Sequence, residues 1–124
     1  MHIFVVCVYV SLVVTTAEII GPRNIAVIRG SAATFDCVIN APETDVCWTY
    51  QSVSFKSVIH LYAEGELTPN CNDSKCTIIF HNETKSNTLT INSVQHYDAG
   101  FYSCRICQEA DEHTAQLVVL QTGE

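Results

Sequence analysis

The chain has 124 residues and a formal net charge of −7, with 13 acidic side chains against 6 Lys and Arg. This length allows one domain. The negative charge argues against nucleic acid and anionic membrane surfaces as partners, because both select basic patches.

Residues 1–17 are predicted to be a secretory signal peptide. An apolar run from Ile3 to Val14 contains a single serine and precedes the first charged residue, Glu18. About 20 residues are needed to span a bilayer, so this run is too short for that role but fits the apolar part of a signal. Small residues suit cleavage after Ala17, which leaves a mature domain of 18–124. A buried N-terminal strand is the alternative, and no later stretch has the length and apolarity of a transmembrane helix.

Cysteines and glycosylation motifs agree with export. Cys7 leaves with the predicted signal, and the remaining cysteines are Cys37, Cys47, Cys71, Cys76, Cys104 and Cys107. An even number in a small exported chain implies disulfides. Two sequons, Asn72-Asp73-Ser74 and Asn82-Glu83-Thr84, predict N-linked glycans on Asn72 and Asn82.

Short strands separated by turn residues account for most of the mature chain. Gly21-Pro22 interrupts the first strand, as an edge strand allows. Alternation of apolar with polar or small residues then predicts half-buried strands near 33–39, 46–50, 58–62, 77–80, 89–94, 102–106 and 115–119. Eight or nine strands with no helical period predict an all-β fold, a two-sheet antiparallel sandwich.

The chain resembles the immunoglobulin superfamily in Cys37, Trp48, Leu89-Thr90-Ile91 and the segment Asp98-Ala99-Gly100-Phe101-Tyr102-Ser103-Cys104. The resemblance implies a disulfide between Cys37 and Cys104 that joins the two sheets. Trp48, eleven residues after Cys37, is implied to pack on this bridge.

Three further residues take signature roles by the same resemblance. Tyr102 holds the tyrosine-corner position, two residues before Cys104. Asp98 is implied to pair with a basic residue, which the family spacing places at Lys75. The family usually has Arg there, so a lysine offers a point charge in place of a two-pronged contact.

The resemblance further indicates a V-type domain, with an intermediate-type domain as the alternative. Cys104 follows Cys37 by 67 positions, which leaves room for the added strands C′ and C″ of the V type. The final strand, near His113 to Val119, lacks the Gly-x-Gly of rearranging antigen receptors. A germline-encoded, non-rearranging domain is therefore expected.

Four cysteines remain for pairing, and three arrangements are open. Cys104 and Cys107 form a Cys-x-x-Cys, but in a strand their sulfurs point to opposite faces, which argues against a redox or metal site. Cys47 and Cys107 face outward on strands that the family makes neighbours, so this pair is preferred. The family register places them on a diagonal of ~7 Å between Cα atoms, slightly beyond comfortable disulfide reach, and strand twist can close that gap. Cys71 and Cys76 then close a short loop. The alternative is that one of the four is free or bonds another chain.

Binding residues are expected on the face of strands G, F, C and C′, here called the GFCC′ face. This follows from the resemblance, because V domains of the family bind or dimerise there. The outward candidates are Thr49, Gln51, Phe101 and Arg105, with Phe101 favoured because an exposed aromatic is a frequent hot spot. The alternative for Phe101 is a half-covered side chain in the sheet.

The loop after Cys107 is acidic, with Glu109, Asp111 and Glu112. It can be interpreted as a recognition tip for a basic partner. The alternative is a solvated turn, because charge runs are usually only solvated.

No motif points to catalysis, and the scattered histidines lack zinc-ligand spacing. No enzyme activity, cofactor or metal is therefore expected. The sequence predicts a secreted recognition or adhesion module for a protein or glycan partner, with a homodimer through the GFCC′ face as one possibility. The alternatives are an ectodomain fragment of a membrane receptor, and a soluble antagonist or ligand-sequestering carrier, which a deep apolar pocket would favour.

Overall fold

The computed structural model describes residues 19–54 and 57–121, so the predicted signal peptide lies outside the described residues. The described chain forms strands β1 (Ile19–Ile20), β2 (Ile25–Ile28), β3 (Ala33–Ile39), β4 (Val46–Ser52), β5 (Val58–Ala63), β6 (Glu66–Leu67), β7 (Cys76–His81), β8 (Ser86–Ile91), β9 (Gly100–Ile106) and β10 (Glu112–Leu120). Two short 3-10 turns, Glu43–Asp45 and His96–Asp98, connect strands.

The strands form two sheets, with orders β1-β3-β8-β7 and β2-β10-β9-β4-β5-β6. The predicted all-β, two-sheet sandwich is thereby confirmed. All pairings among the described strands are antiparallel except that of β2 with β10, which is parallel. The break at Gly21-Pro22 lets the chain leave one sheet after Ile20 and join the other at Ile25, so the first predicted strand is two strands in different sheets.

Period-2 alternation explains which face of each strand is buried. In β3, Ala33, Phe35, Cys37 and Ile39 point into the core, whereas the residues between them are exposed or only partly covered. In β8 the inward row is Asn87, Leu89 and Ile91. The core therefore forms from alternate residues of two facing sheets, which is how a sandwich buries apolar area.

Four buried residues connect the two sheets at their centre. Cys37 and Cys104 are bridged, with 6.6 Å between their Cα atoms. Trp48 pairs with Cys104 in one sheet, and Asn87 pairs with Cys37 in the other. The indole Nε1 of Trp48 donates a 2.7 Å hydrogen bond to Asn87 Oδ1, which closes a ring of contacts across the sandwich.

Tyr102 fixes the turn that leads into β9. Its hydroxyl donates a 2.6 Å hydrogen bond to the backbone carbonyl of Asp98, four residues earlier. Its ring stacks on Phe35 at 4.9 Å between centroids. Burial, and then the negative charge of Asp98, raises the pKa of Tyr102 above its usual value, so the hydroxyl remains a donor at physiological pH.

The carboxylate of Asp98 is anchored from two sides. Its Oδ2 accepts hydrogen bonds from Lys75 Nζ at 2.7 Å and from the backbone N–H of Gln95 at 2.8 Å. Lys75 Nζ also donates to the backbone carbonyl of Ser93 at 3.1 Å. The single ammonium thus joins the start of β7 to the turn before β9.

Gly100 is required where β9 passes close to β4. Its φ of +148° lies in a region that favours glycine, and a Cβ there would lie 2.6 Å from the backbone oxygen of Gln51. The glycine of the sequence motif therefore permits a close backbone approach between two central strands.

We predict that replacing Asn87 with alanine lowers the free energy of unfolding by about 2 kcal/mol. The substitution leaves the Trp48 N–H buried without an acceptor and opens a small cavity. Urea denaturation followed by circular dichroism measures the loss. Asn92→Ala, at a partly exposed asparagine of the following turn, is the matched control and should cost about 0.5 kcal/mol or less. Equal losses in the two variants would contradict a role for the Trp48–Asn87 bond.

Candidate binding surface

The GFCC′ face is an ordered grid of side chains on β10, β9, β4 and β5. Strand register aligns them in three rows, which are Glu112, Arg105 and Cys47; Thr114, Ser103, Thr49 and His60; and Gln116, Phe101, Gln51 and Val58. These residues alternate with the inward Trp48, Tyr102 and Cys104, so they lie on the side of the sheet away from the core.

The middle row is less accessible than the sequence suggested. Thr49 exposes only 5% of its surface, and Ser103 is also buried. Both lie on the central strands of the six-stranded sheet, where longer neighbours flank them, and the hydroxyls of Ser103 and Thr114 are 2.7 Å apart in a hydrogen bond. Thr49, expected as an outward contact residue, therefore offers a partner little surface.

The aromatic residue of this face is half-buried. Phe101 lies between Gln51 and Gln116 of the neighbouring strands, which accounts for its partial cover. Of the two readings that the sequence allows, an exposed ring and a half-covered one, the structure has the half-covered one. Such a ring offers a partner apolar contact within a polar surround.

Arg105 lies at the end of the face near the loop that follows β9. Its Nη1 makes a long contact of 3.5 Å with the backbone oxygen of Glu109. Its Nε is buried and has no hydrogen-bond partner among the described residues. The guanidinium is therefore held by packing as much as by polar contacts.

Carboxylates from three loops converge at the same end of the molecule. We call the acidic tip the set Glu43, Asp45, Glu64, Glu66, Glu109, Asp111 and Glu112. Within residues 19–54 and 57–121, none of these carboxylates forms an ion pair. Arg105 lies at this end as well, paired in register with Glu112 and in contact with the backbone oxygen of Glu109. Among the described residues, the tip therefore has more carboxylates than cations and no ion pair between them.

Specific contacts hold the loops of the acidic tip together. The backbone N–H of Cys107 donates to the carbonyl of Asp45 at 2.8 Å. The hydroxyl of Tyr62 on β5 donates to Glu43 Oε1 at 3.2 Å. Gly65, in the β5–β6 turn, lies close to Thr44. A Cβ at position 65 would lie 3.2 Å from Thr44 Cγ2.

The bridge between Cys47 and Cys107 fastens the last of these loops to β4. The two Cα atoms are 5.1 Å apart, which is closer than the ~7 Å diagonal of the family register. The reason is that β9 ends at Ile106 and the chain turns at once, with the N–H of Glu109 bonded to the carbonyl of Ile106. This turn swings Cys107 toward β4.

The environment of Tyr62 reports on the packing of the tip. Burial raises the pKa of Tyr62 to about 12, with further contributions from the charge of Glu43 and from its hydrogen bond to that carboxylate. The phenol therefore stays protonated and keeps donating to Glu43 across the physiological range.

The opposite end of the sandwich contains two adjoining cavities of about 480 and 560 Å³. They share Tyr50, Ile59 and Tyr97, and the first also contains the Lys75–Asp98 ion pair. A deep apolar pocket would favour the carrier hypothesis. The first cavity does not have this character, because the ion pair makes its wall partly polar.

The predicted glycosylation sites and the third disulfide lie away from the GFCC′ face. Asn72 is exposed in the loop that Cys71 and Cys76 close, with 5.6 Å between their Cα atoms. Asn82 is exposed in the hairpin between β7 and β8, where its Oδ1 accepts from Lys85 Nζ at 3.2 Å.

Sequence reasoning missed Asn87 and four of the seven acidic-tip carboxylates. Asn87 shares the inward alternation of Leu89 and Ile91, so strand periodicity could have placed it in the core. Glu43, Asp45, Glu64 and Glu66 belong to loops that only the fold brings together. No local pattern in the chain signals their proximity to Glu109.

Neither a metal site nor a membrane-spanning helix is found in the described part of the chain. There, no group of three or more His, Cys, Asp or Glu side chains is arranged to hold a metal ion. No helix in residues 19–54 and 57–121 has the length and apolarity needed to cross a bilayer.

Two solved structures share this fold. The first immunoglobulin domain of the mouse polymeric immunoglobulin receptor is similar with a TM-score of 0.68 and 21% identity, covering 88% of this chain and 99% of that one. A marsupial T cell receptor is similar with a TM-score of 0.71 and 17% identity, covering 88% of this chain and 55% of that one. At these identities the likeness shows the fold alone. No curated protein sequence matches the chain.

A family model covers most of the chain. Residues 18–120 match the immunoglobulin I-set domain, so the match does not single out the V type. The match, the bridged two-sheet sandwich and the tyrosine corner agree. The chain belongs to the immunoglobulin superfamily, through a domain that matches its I-set model.

Proposed function

We propose that the chain is a secreted recognition module that binds a protein partner with a basic surface through the GFCC′ face and the acidic tip. Immunoglobulin domains are typical of recognition and adhesion modules and are generally not enzymes. Neither the sequence nor the described residues offer a catalytic arrangement, so binding is the function to test.

The observation that carries this proposal is the fastening of the acidic tip. The Cys47–Cys107 bridge and the Cys107–Asp45 backbone bond hold two of its loops in one arrangement. Like charges repel, so an arrangement that keeps an excess of carboxylates at one end favours a positively charged partner. Ordering these loops beforehand lowers the entropy that binding must remove.

Within the I-set match, we infer a V-like outline for the binding sheet. Strand β6 pairs with β5 through Tyr62 with Leu67 and Ala63 with Glu66. These strands extend the sheet past β4, where C′ and C″ lie in V-type domains. The extension widens the GFCC′ face and carries Glu64 and Glu66 to the acidic tip.

Export and glycosylation belong to the same proposal. The six bridged cysteines suit an oxidising compartment. Glycans on Asn72 and Asn82 would leave the GFCC′ face open, because neither asparagine belongs to its rows. The two alternatives would use the same domain. A receptor ectodomain would attach it to a membrane anchor, and a sequestering carrier would use it to bind a small ligand.

A homodimer is the competing use of the GFCC′ face. Two acidic tips brought side by side would repel, so the charge favours a different partner over a second copy. Analytical ultracentrifugation separates the two cases, since a dimer would form without any added protein.

We predict that opening the Cys47–Cys107 bridge loosens the acidic tip. In Cys47→Ala/Cys107→Ala, chain entropy over a separation of 60 residues predicts a loss of about 4 kcal/mol in unfolding free energy. Amides of residues 107–111 should exchange faster with deuterium. The matched control, Cys71→Ala/Cys76→Ala, should lose about 2 kcal/mol and leave exchange at 107–111 unchanged. Unaltered exchange there in the first variant would contradict the anchoring role.

We predict that Glu43→Gln lowers the pKa of Tyr62 from about 12 toward, but not to, its ordinary value of 10.0, because burial remains. Folding favours the protonated phenol, so its contribution to stability is present below pH 10 and is lost between about pH 10 and 12. Phenolate absorbance measures the titration, with Tyr62→Phe identifying the signal. Glu64→Gln is the control carboxylate. An unchanged titration in Glu43→Gln would show that the two loops are not in contact.

We predict that a fluorescent oligomer of residues 18–124 binds cells of the source organism and that about 1 M salt, where the Debye length is about 3 Å, abolishes most of the binding. Neutralising the tip in Glu109→Gln/Asp111→Asn/Glu112→Gln should weaken binding about tenfold, with flow cytometry as the readout. Phe101→Ala should weaken it at all salt concentrations.

The controls for this experiment are built into the chain. Asp111→Asn is compared with Asp73→Asn, which removes an exposed aspartate from the opposite end and keeps the sequon at Asn72. Equal effects of these two substitutions, or salt-independent binding, would refute a charged interface at the tip. Salt-independent binding that is lost in Phe101→Ala would indicate a neutral glycan or an apolar partner on the GFCC′ face.

A further inference from the structure

The cavity of about 480 Å³ at the end opposite the acidic tip has a sequon asparagine in its wall. Asn72 lines this cavity together with Tyr97, Ile59 and Lys75. Its size falls within the range of about 300–1,000 Å³ that suits small molecules such as a single sugar.

The side chain of Asn72 is held through its amide oxygen. Oδ1 accepts hydrogen bonds from the backbone N–H groups of Ser74 and Lys75 at 3.0 and 3.1 Å, and from Ser74 Oγ at 2.6 Å. Because all three bonds go to the oxygen, the amide nitrogen takes the other corner of the planar group. That nitrogen is the atom to which an N-linked sugar is attached.

Tyr97 presents an unusually exposed apolar surface at the same cavity. It exposes 73% of its surface, and Ile59 beside it exposes 38%. Lys75 Nζ lies 5.3 Å from the centroid of the ring, and the backbone carbonyl of Tyr97 accepts a hydrogen bond from the Tyr50 hydroxyl. Contiguous exposed apolar residues around a cavity usually mark a surface that something covers.

We propose that Asn72 carries an N-linked glycan whose first sugar occupies this cavity and packs its apolar C–H face on the ring of Tyr97. The glycan is a part of this same chain once it is exported, so no external partner is required. The proposal rests on the export clause of the proposed function.

The attachment is a group transfer from a lipid diphosphate-linked oligosaccharide, the general donor of the secretory pathway. A bond forms between Asn72 Nδ2 and the anomeric carbon of the sugar, while the bond from that carbon to the diphosphate oxygen breaks. The nitrogen releases one proton to solvent and the lipid diphosphate leaves. Asn72 lies inside the Cys71–Cys76 ring, so we expect the transfer to precede closure of that disulfide.

The test is a double-mutant cycle on thermal stability in the secreted protein. Ser74→Ala removes the sequon but leaves both backbone hydrogen bonds of Asn72 Oδ1, and Ser74→Thr keeps the sequon as the matched control. We expect Ser74→Ala to lower the Tm by about 4 °C when Tyr97 is present, and by about 1 °C or less in a Tyr97→Ser background. Unglycosylated protein refolded from bacteria measures the effect of the lost Ser74 hydroxyl, which is subtracted.

A second arm locates the effect within the glycan. An endoglycosidase that leaves one sugar on the asparagine should preserve the Tm, because only the first sugar contacts Tyr97. Removal of the glycan at Asn82, by Thr84→Ala, should have the same effect whether or not Tyr97 is present.

The outcomes separate this proposal from the export clause on which it depends. Mass spectrometry that finds sugar on Asn82 and none on Asn72 would overturn the proposal and leave export standing. A chain that stays in the cytosol without sugar on either asparagine would overturn both. Sugar on Asn72 with equal Tm losses in the two Tyr97 backgrounds would show that the glycan does not pack on the ring.

Discussion

The contact ring formed by Cys37, Asn87, Trp48 and Cys104 sits where the two sheets meet, and the rest of the sandwich depends on it. Each sheet contributes a cross-strand pair, and a covalent bond and a buried hydrogen bond join the pairs. The disulfide contributes about 4 kcal/mol by chain entropy, and the hydrogen bond about 1 kcal/mol. Against a typical stability of 5–15 kcal/mol, these two links hold a large share of the fold.

This ring also sets the geometry of the surface on the other side of the sheet. Fixing Trp48 opposite Cys104 fixes the register of β4 on β9, and side chains alternate from that register. Gln51 is therefore opposite Phe101, and Cys47 is opposite Arg105. A slip of one residue would turn Phe101 into the core and Tyr102 out of it. The GFCC′ face and the core are thus two consequences of one pairing.

The sequence predicts those parts of the fold that depend on spacing within a strand. Cys37, Trp48 and Tyr102 each follow from a fixed offset or an alternation, because inward residues repeat every second position. The sequence does not predict that the chain crosses between the sheets at Gly21-Pro22. A break within an edge strand does not indicate which sheet the next residues join. The 5.1 Å approach of Cys47 and Cys107 depends on a turn that begins one residue after β9 ends.

The binding surface was predictable only where it lies on strands. Phe101 and Arg105 were placed on the outward face by alternation, whereas the low exposure of Thr49 depends on the size of its neighbours across two strands. The carboxylates of Glu43, Glu64 and Glu109 are far apart along the chain and lie in separate loops. The topology of the fold brings these loops to the same end of the molecule. No single stretch of the sequence predicts this proximity.

Repulsion among the carboxylates of the acidic tip lowers the stability of its loops, and the Cys47–Cys107 disulfide opposes this effect. Carboxylates at one end of a domain repel one another, and salt screens this repulsion. Repulsion favours loops that spread apart, and bonds between the loops oppose it. A covalent bridge at Cys107 and a backbone bond to Asp45 are such bonds. A cationic partner would relieve the repulsion at the moment of contact, so the strain that weakens the free domain strengthens the complex, and the benefit falls as salt screens both.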